Sequence, residues 1–120
     1  MELISVNSMA LFFGLIVAHF IFDFSLQNDF IAKAKNHTTE LGSLYWKWVL
    51  PAHSFMHGGA VYFITGSLVL GLIETISHCI IDYLKCDNKI TFNQDQWLHI
   101  GFKLMYTYLI VYEVPFVMYG

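Results

Sequence analysis

The sequence predicts an all-α fold, a four-span transmembrane helix bundle with a layer of histidine and aspartate near its cytoplasmic face. Three observations predict it. The 120 residues are 57% hydrophobic and 12% charged, with a mean hydropathy of +0.56. The charges cluster, leaving nearly uncharged stretches close to the ~20 residues that cross a bilayer core. Polar residues inside those stretches recur at a spacing of four, the repeat of one helical face. A soluble helical domain would instead carry polar residues along one face of every helix.

Residues 3–24 form the first span. It lacks the basic flank and small-residue cleavage site of a signal peptide and ends in His19 and Asp23, so a retained helix is expected. The chain turns polar over 25–47, the longest loop, where Phe30, Ile31 and Ala32 can seat a short interfacial helix. Residues 48–64 form a second span, entered through Pro51 near its first turn, where a missing N–H costs nothing. A tight Thr65-Gly66-Ser67 corner leads into a third span, 68–84, so the two make a helical hairpin. After a second polar loop, 85–94, Asn93 or Gln94 caps a fourth span over 95–117. The whole chain reads as a single four-helix domain.

Nine acids against six lysines give a net charge of −3, and there is no arginine, so the basic footprint of a nucleic-acid binder is absent. Four spans put both termini on one side of the lipid bilayer and the two polar loops on the other. That second side carries Lys33, Lys35, Lys47, Lys85 and Lys89, which makes it cytoplasmic by the positive-inside rule and leaves the termini non-cytoplasmic. Tyr45, Trp46, Trp48 and Trp97 suit the cytoplasmic interface, and Tyr106, Tyr108, Tyr112 and Tyr119 the opposite half. Cys79 and Cys86 lie too close along one helix to staple distant elements. His37, in the polar loop, is expected to be solvated. So thin a bundle suits a homodimer, with Gly58, Gly59, Gly66 and Gly71 available for close contact either between copies or within the chain.

The chemistry lies in the ionisable residues inside the spans. Span one carries His19 and Asp23, span two His53 and His57, span three Glu74, His78 and Asp82, and span four Asp95 and His99. With alternating helix directions every pair comes to the cytoplasmic side. An ionisable group within a span costs about 2.5–3.5 kcal/mol on insertion scales, so the layer requires compensation. A bound cation is the simplest compensation. Imidazole and carboxylate ligands facing inward from neighbouring helices suit Zn²⁺, with Mn²⁺, Fe²⁺ or Ni²⁺ as alternatives. The expected ligands are His19, Asp23, His53, His57, His78, Asp82, Asp95 and His99, more than one tetrahedral ion takes. Either some carboxylates orient imidazoles from behind or two ions are held. Glu74 is a further ligand, an acceptor for an imidazole, or a general base. Lys103, one turn deeper than His99, is hard to explain as a surface lysine.

The residues resemble the small four-helix membrane proteins of bacteria and phages catalogued as domain of unknown function 3307. The resemblance lies in His19-Phe-Ile-Phe-Asp23-Phe-Ser-Leu-Gln27-Asn-Asp29, His53-Ser-Phe-Met-His57, Glu74-Thr-Ile-Ser-His78-Cys-Ile-Ile-Asp82-Tyr-Leu-Lys85 and Asp95-Gln96-Trp-Leu-His99. It covers roughly residues 15–105. One departure is Phe22, where the family has glycine before the aspartate. The resemblance implies the four-span architecture, a bacterial inner membrane, and a role for the matched His and Asp positions. A looser similarity to predicted membrane-bound metal-dependent hydrolases implies hydrolytic chemistry.

The leading expectation is a metal-dependent hydrolase acting from the cytoplasmic face on an anionic or amphiphilic substrate. Asp23, Asp95 or Glu74 would handle the proton of a metal-bound water, and Gln27, Lys85 and Gln96 would touch the substrate. The rivals are a non-catalytic module, whose structural metal clamps the helices while loop 25–47 recruits a partner, and a metal or proton transporter.

Overall fold

The computed structural model describes residues 2–119, with side chains from 8 to 118. All its regular elements are helical: α1 (Glu2–Phe20), continued by a π-helical turn (Ile21–Ser25), then α2 (Asp29–Ala34), α3 (Glu40–Thr65), α4 (Leu68–Cys86), α5 (Phe92–Val111) and α6 (Pro115–Tyr119).

The elements begin where side-chain oxygens can satisfy free backbone N–H groups. Asn28 Oδ1 accepts from the Ile31 amide at 2.8 Å and starts α2, the short helix expected at Phe30–Ala32. Thr39 Oγ1 accepts from the Gly42 amide at 2.9 Å, so α3 starts well before residue 48 and Pro51 lies deep inside it rather than in its first turn. Thr91, not Asn93 or Gln94, caps α5; its hydroxyl accepts from the Gln94 amide, while Gln94 Oε1 accepts from the Thr91 amide at 2.9 Å. This reciprocal pair is a capping box. The fourth span does not run unbroken to 117. Glu113 takes a φ of 50° and Pro115 has no N–H to continue the ladder, so α5 stops at Val111 and α6 restarts the chain.

Gly66 ends α3 at a φ of 73°, a conformation that glycine adopts without strain, and Ser67 then caps α4. The hairpin closes tightly. A Cβ on Gly58 would stand 1.8 Å from Thr75 Oγ1 and 2.6 Å from Gly71 O, so these glycines let α3 and α4 touch backbone to backbone. Gly58 and Gly71 therefore serve contact within the chain, whereas Gly59 faces open space.

The two ends of the bundle differ. At one, His37 Nε2 lies 3.0 Å from Asp87 Oδ1 and joins the loop before α3 to the end of α4. At the other, Ser67 Oγ donates to Val117 O at 2.7 Å, and Leu15, Val61, Leu70, Tyr106 and Val117 form the apolar core. The polar loops thus share one end, as their lysine content suggests.

In apolarity the helices depart from the four-span expectation. Among the described residues, one stretch, Ser8–Ser25, is both long and apolar enough to cross a membrane, and a signal sequence or a buried core helix passes the same test. The helices α3, α4 and α5 have 26, 19 and 20 residues, but they carry most of the polar layer. Two aromatic and histidine expectations also change. Tyr106 is buried in the bundle rather than placed at an interface, and Tyr119 lies outside the described side chains. His37 is not freely solvated: its ring stacks on Tyr83 with centroids 4.2 Å apart and an interplanar angle of 7°.

Candidate metal centre

The i, i+4 pairs on α3, α4 and α5 each project from one helical stripe, and the stripes face one another. Asp23 comes from the π-helical turn, where the Leu26 amide donates to Ile21 O at 2.8 Å, one residue beyond α-helical spacing. Such turns occur often at functional positions. Every one of the eight expected ligands is buried, from His78 at 0% exposure to Asp23 at 7%.

Asp23 is the hub. Its Oδ1 lies 3.2 Å from His53 Nε2, 3.1 Å from His57 Nε2 and 3.5 Å from His78 Nε2. Its Oδ2 accepts from Gln96 Nε2 at 2.9 Å and lies 3.5 Å from His19 Nε2. A second group centres on Asp82, whose Oδ1 lies 3.1 Å from His99 Nε2 and whose Oδ2 lies 3.4 Å from His78 Nε2. His99 Nε2 is also 3.3 Å from Asp95 Oδ1. The rings of His57, His78 and His99 form a stack, with successive centroids 3.7 Å and 4.0 Å apart.

Several of these groups lack the hydrogen bonds that burial normally demands. His57 Nε2, His78 Nε2, His19 Nδ1 and Asp95 Oδ1 are buried without a hydrogen-bond partner. A buried polar atom left unpaired costs about 1–3 kcal/mol. Three sets of residues each bring one ligand atom per residue within 4.8 Å of one another: Asp23, His53, His57 and His78; Glu74, His78 and His99; and Asp23, Asp95 and His99.

Below the layer, Glu74 accepts from Lys103 Nζ at 2.6 Å and from Tyr106 OH at 2.9 Å, and its Oε2 lies 3.1 Å from His78 Nδ1. Glu74 thus has three partners and no exposure, and it meets His78 from behind. At the loop end, Lys35 Nζ donates to Asp82 Oδ2 at 2.9 Å. Burial opposes the Lys35 charge, but Asp82 outweighs it and holds the ammonium above its ordinary range.

The three residues expected to touch substrate are used differently. Gln96 also donates to Asp95 Oδ2 at 3.1 Å and accepts at Oε1 3.0 Å from His19 Nε2, so it cross-links the layer. Gln27 Nε2 donates to Asp23 O at 3.2 Å. The half-buried Lys85 places its ammonium 5.4 Å from the centre of the Phe92 ring. Sequence reasoning counted Lys35 among the lysines of the cytoplasmic loops and Tyr106 among the aromatics of the opposite half, and so missed both as members of the buried network. The signal available for Lys35 was electrostatic: a carboxylate-rich layer needs nearby cations.

The fold and this centre define the class as a helical bundle built around a buried layer of histidine and carboxylate. The family model described as "Protein of unknown function (DUF3307)" matches residues 11–118, and the chain belongs to that family. No curated protein and no solved structure matches it.

Proposed function

We propose that the chain is a membrane-embedded, metal-dependent hydrolase acting on an anionic or amphiphilic substrate. The observation that carries the metal reading is the charge balance of the interior. Among the described residues, four buried carboxylates, Asp23, Glu74, Asp82 and Asp95, face only two buried ammonium groups, Lys35 and Lys103. With neutral imidazoles the interior keeps two uncompensated negative charges, which a divalent cation neutralises while taking up the unpartnered imidazole nitrogens. Nitrogen and carboxylate donors suit Zn²⁺, with Mn²⁺, Fe²⁺ or Ni²⁺ as alternatives. A bound metal supplies Lewis acidity and a water of lowered pKa. Asp95 Oδ1, which makes no hydrogen bond and has His99 Nε2 at 3.3 Å, is open to a metal or to a proton. Glu74, with its three partners, acts by orienting His78.

Membrane embedding is supported by the distribution of side chains. The histidines and carboxylates of the layer are inside, while Phe63 at 91%, Trp48 at 82% and Phe13 at 71% exposure face outward. A water-soluble bundle of this size does not display so many large apolar groups. In a bacterial inner membrane the lysine-bearing loops would face the cytoplasm, with both termini opposite.

The near-complete burial of the layer favours a second reading, in which the metal is structural and loop 25–47 serves a partner. The apolar core at the opposite end weighs against a conduction path. Metal analysis of detergent-extracted protein, followed by chelation and a panel of phosphoesters, lipids and acyl esters, separates the readings. The hydrolase loses turnover on chelation while keeping its helices, and the structural module unfolds without having turned over any substrate.

A further inference from the structure

We propose that the layer holds two divalent cations bridged by the Asp23 carboxylate, and that its substrate class is a phosphoester; this rests on the metal reading above and deepens it. Imidazole nitrogen binds Zn²⁺ at about 2.0–2.1 Å, so two ligand atoms on one ion stand at most about 4.2 Å apart. His57 and His99 are the outer members of the ring stack, with centroids 6.5 Å apart and planes 10° from parallel. A tetrahedral ion holds two imidazole centroids only about 5 Å apart, and His57 and His99 occur together in none of the ligand sets. His57 belongs to the set of Asp23, His53 and His78, and His99 to the sets of Asp23 with Asp95 and of Glu74 with His78; Asp23 is the carboxylate common to the His57 set and the Asp95 set.

Each of these two sets also contains its own buried atom that makes no hydrogen bond. In the first these are His57 Nε2 and His78 Nε2, and in the second Asp95 Oδ1, on residues 2%, 0% and 2% exposed. One ion among the first set leaves Asp95 Oδ1 with His99 Nε2 at 3.3 Å but no hydrogen bond, and one ion in the second leaves the two imidazole nitrogens beside carboxylates without hydrogen bonds.

Charge then points to the substrate. The first divalent cation neutralises the two uncompensated negative charges, and the second makes the site cationic. A cationic paired-ion site attracts an anionic phosphoester and can clamp both the attacking and the leaving oxygen of an in-line displacement. In hydrolysis a water oxygen forms the new bond to phosphorus, the ester P–O bond breaks, and the water's protons pass to the departing alkoxide and to a buried carboxylate.

The test loads full-length, detergent-extracted protein with Mn²⁺ and reads bound metal by mass spectrometry and electron paramagnetic resonance. The expected result is two ions per chain with a spin-coupled signal. The pair H53Q/H57Q should keep one ion, and D95N/H99Q should also keep one, each with an uncoupled signal. A single uncoupled ion in the unmodified protein overturns the two-ion site while leaving the metal reading intact, and an absence of bound metal overturns both. Because the unmodified protein's spectrum decides the matter, a variant that fails to fold does not. A coupled pair that turns over acyl esters but no phosphoester overturns the substrate assignment alone.

Discussion

Lys35 and Asp82, 47 residues apart in sequence, form a buried ion pair at 2.9 Å that ties the loop end of α2 to the centre of the polar layer. Removing one partner of such a pair leaves the other charge buried, at a cost of about 3–5 kcal/mol. Lys35→Met should therefore lower the unfolding temperature of metal-free protein strongly. Saturating Zn²⁺ should recover part of the loss, because the cation supplies the charge that Asp82 lacks. Equal loss with and without metal, in a thermal melt, would show that Asp82 lies outside the metal's influence.

Glu74 receives Lys103 and Tyr106 and stands behind His78 Nδ1. A carboxylate in that position fixes the tautomer that leaves Nε2 free for a metal, and removing such a partner costs about 10–100-fold in affinity. Glu74→Gln should weaken Zn²⁺ binding by that factor and destabilise the fold through the orphaned Lys103. Adding Lys103→Met should restore stability but not affinity. Competition titration and thermal melts on the single and double variants measure the two effects separately.

The contact of α3 with α4 depends on two missing side chains. Gly58→Ala places a methyl 1.8 Å from Thr75 Oγ1 and should cost about 1–3 kcal/mol, the usual range for overpacking. Gly59→Ala, with nothing within 4 Å, should be neutral or raise stability by up to about 1 kcal/mol through helix propensity. A reversed order in denaturant unfolding would place the helix contact elsewhere.

His37 provides a control among the histidines. It stacks on Tyr83 and pairs with Asp87 at 3.0 Å, away from the ligand sets. His37→Ala should cost about 1 kcal/mol for the lost stacking and hydrogen bond, and should leave metal stoichiometry unchanged. Loss of an ion in this variant would mean that the loop before α3 helps to build the centre.

What the sequence made legible was periodic. Pairs spaced by four on successive helices of opposite direction bring His53, His57, His78 and His99 to one level, and that spacing can be read without coordinates. Lys35 and Tyr106 were not legible, because their places depend on how α2 folds back and how deeply α5 packs. The start of α5 was ambiguous for a local reason. Thr91, Asn93 and Gln94 all have side chains able to bond backbone groups at a helix start, and only the reciprocal bond between Thr91 and Gln94 selects one. The ends of the apolar stretches misled at Pro51, since the helix around it is set by the cap at Thr39 rather than by the start of hydrophobicity.

The π-helical turn has a consequence for how this chain tolerates insertions and deletions. Such a turn accommodates one residue more than an α-helix would over the same rise, so the direction of Asp23 depends on residue number between Phe20 and Leu26 as well as on residue identity. Deleting Phe22 would allow an unbroken α-helical ladder there and swing the preceding helix relative to Asp23 by about 100°. No side chain of the centre would change, yet the hub would lose its alignment with His19. A phase shift of one residue, chemically silent, would dismantle the site as surely as replacing the aspartate.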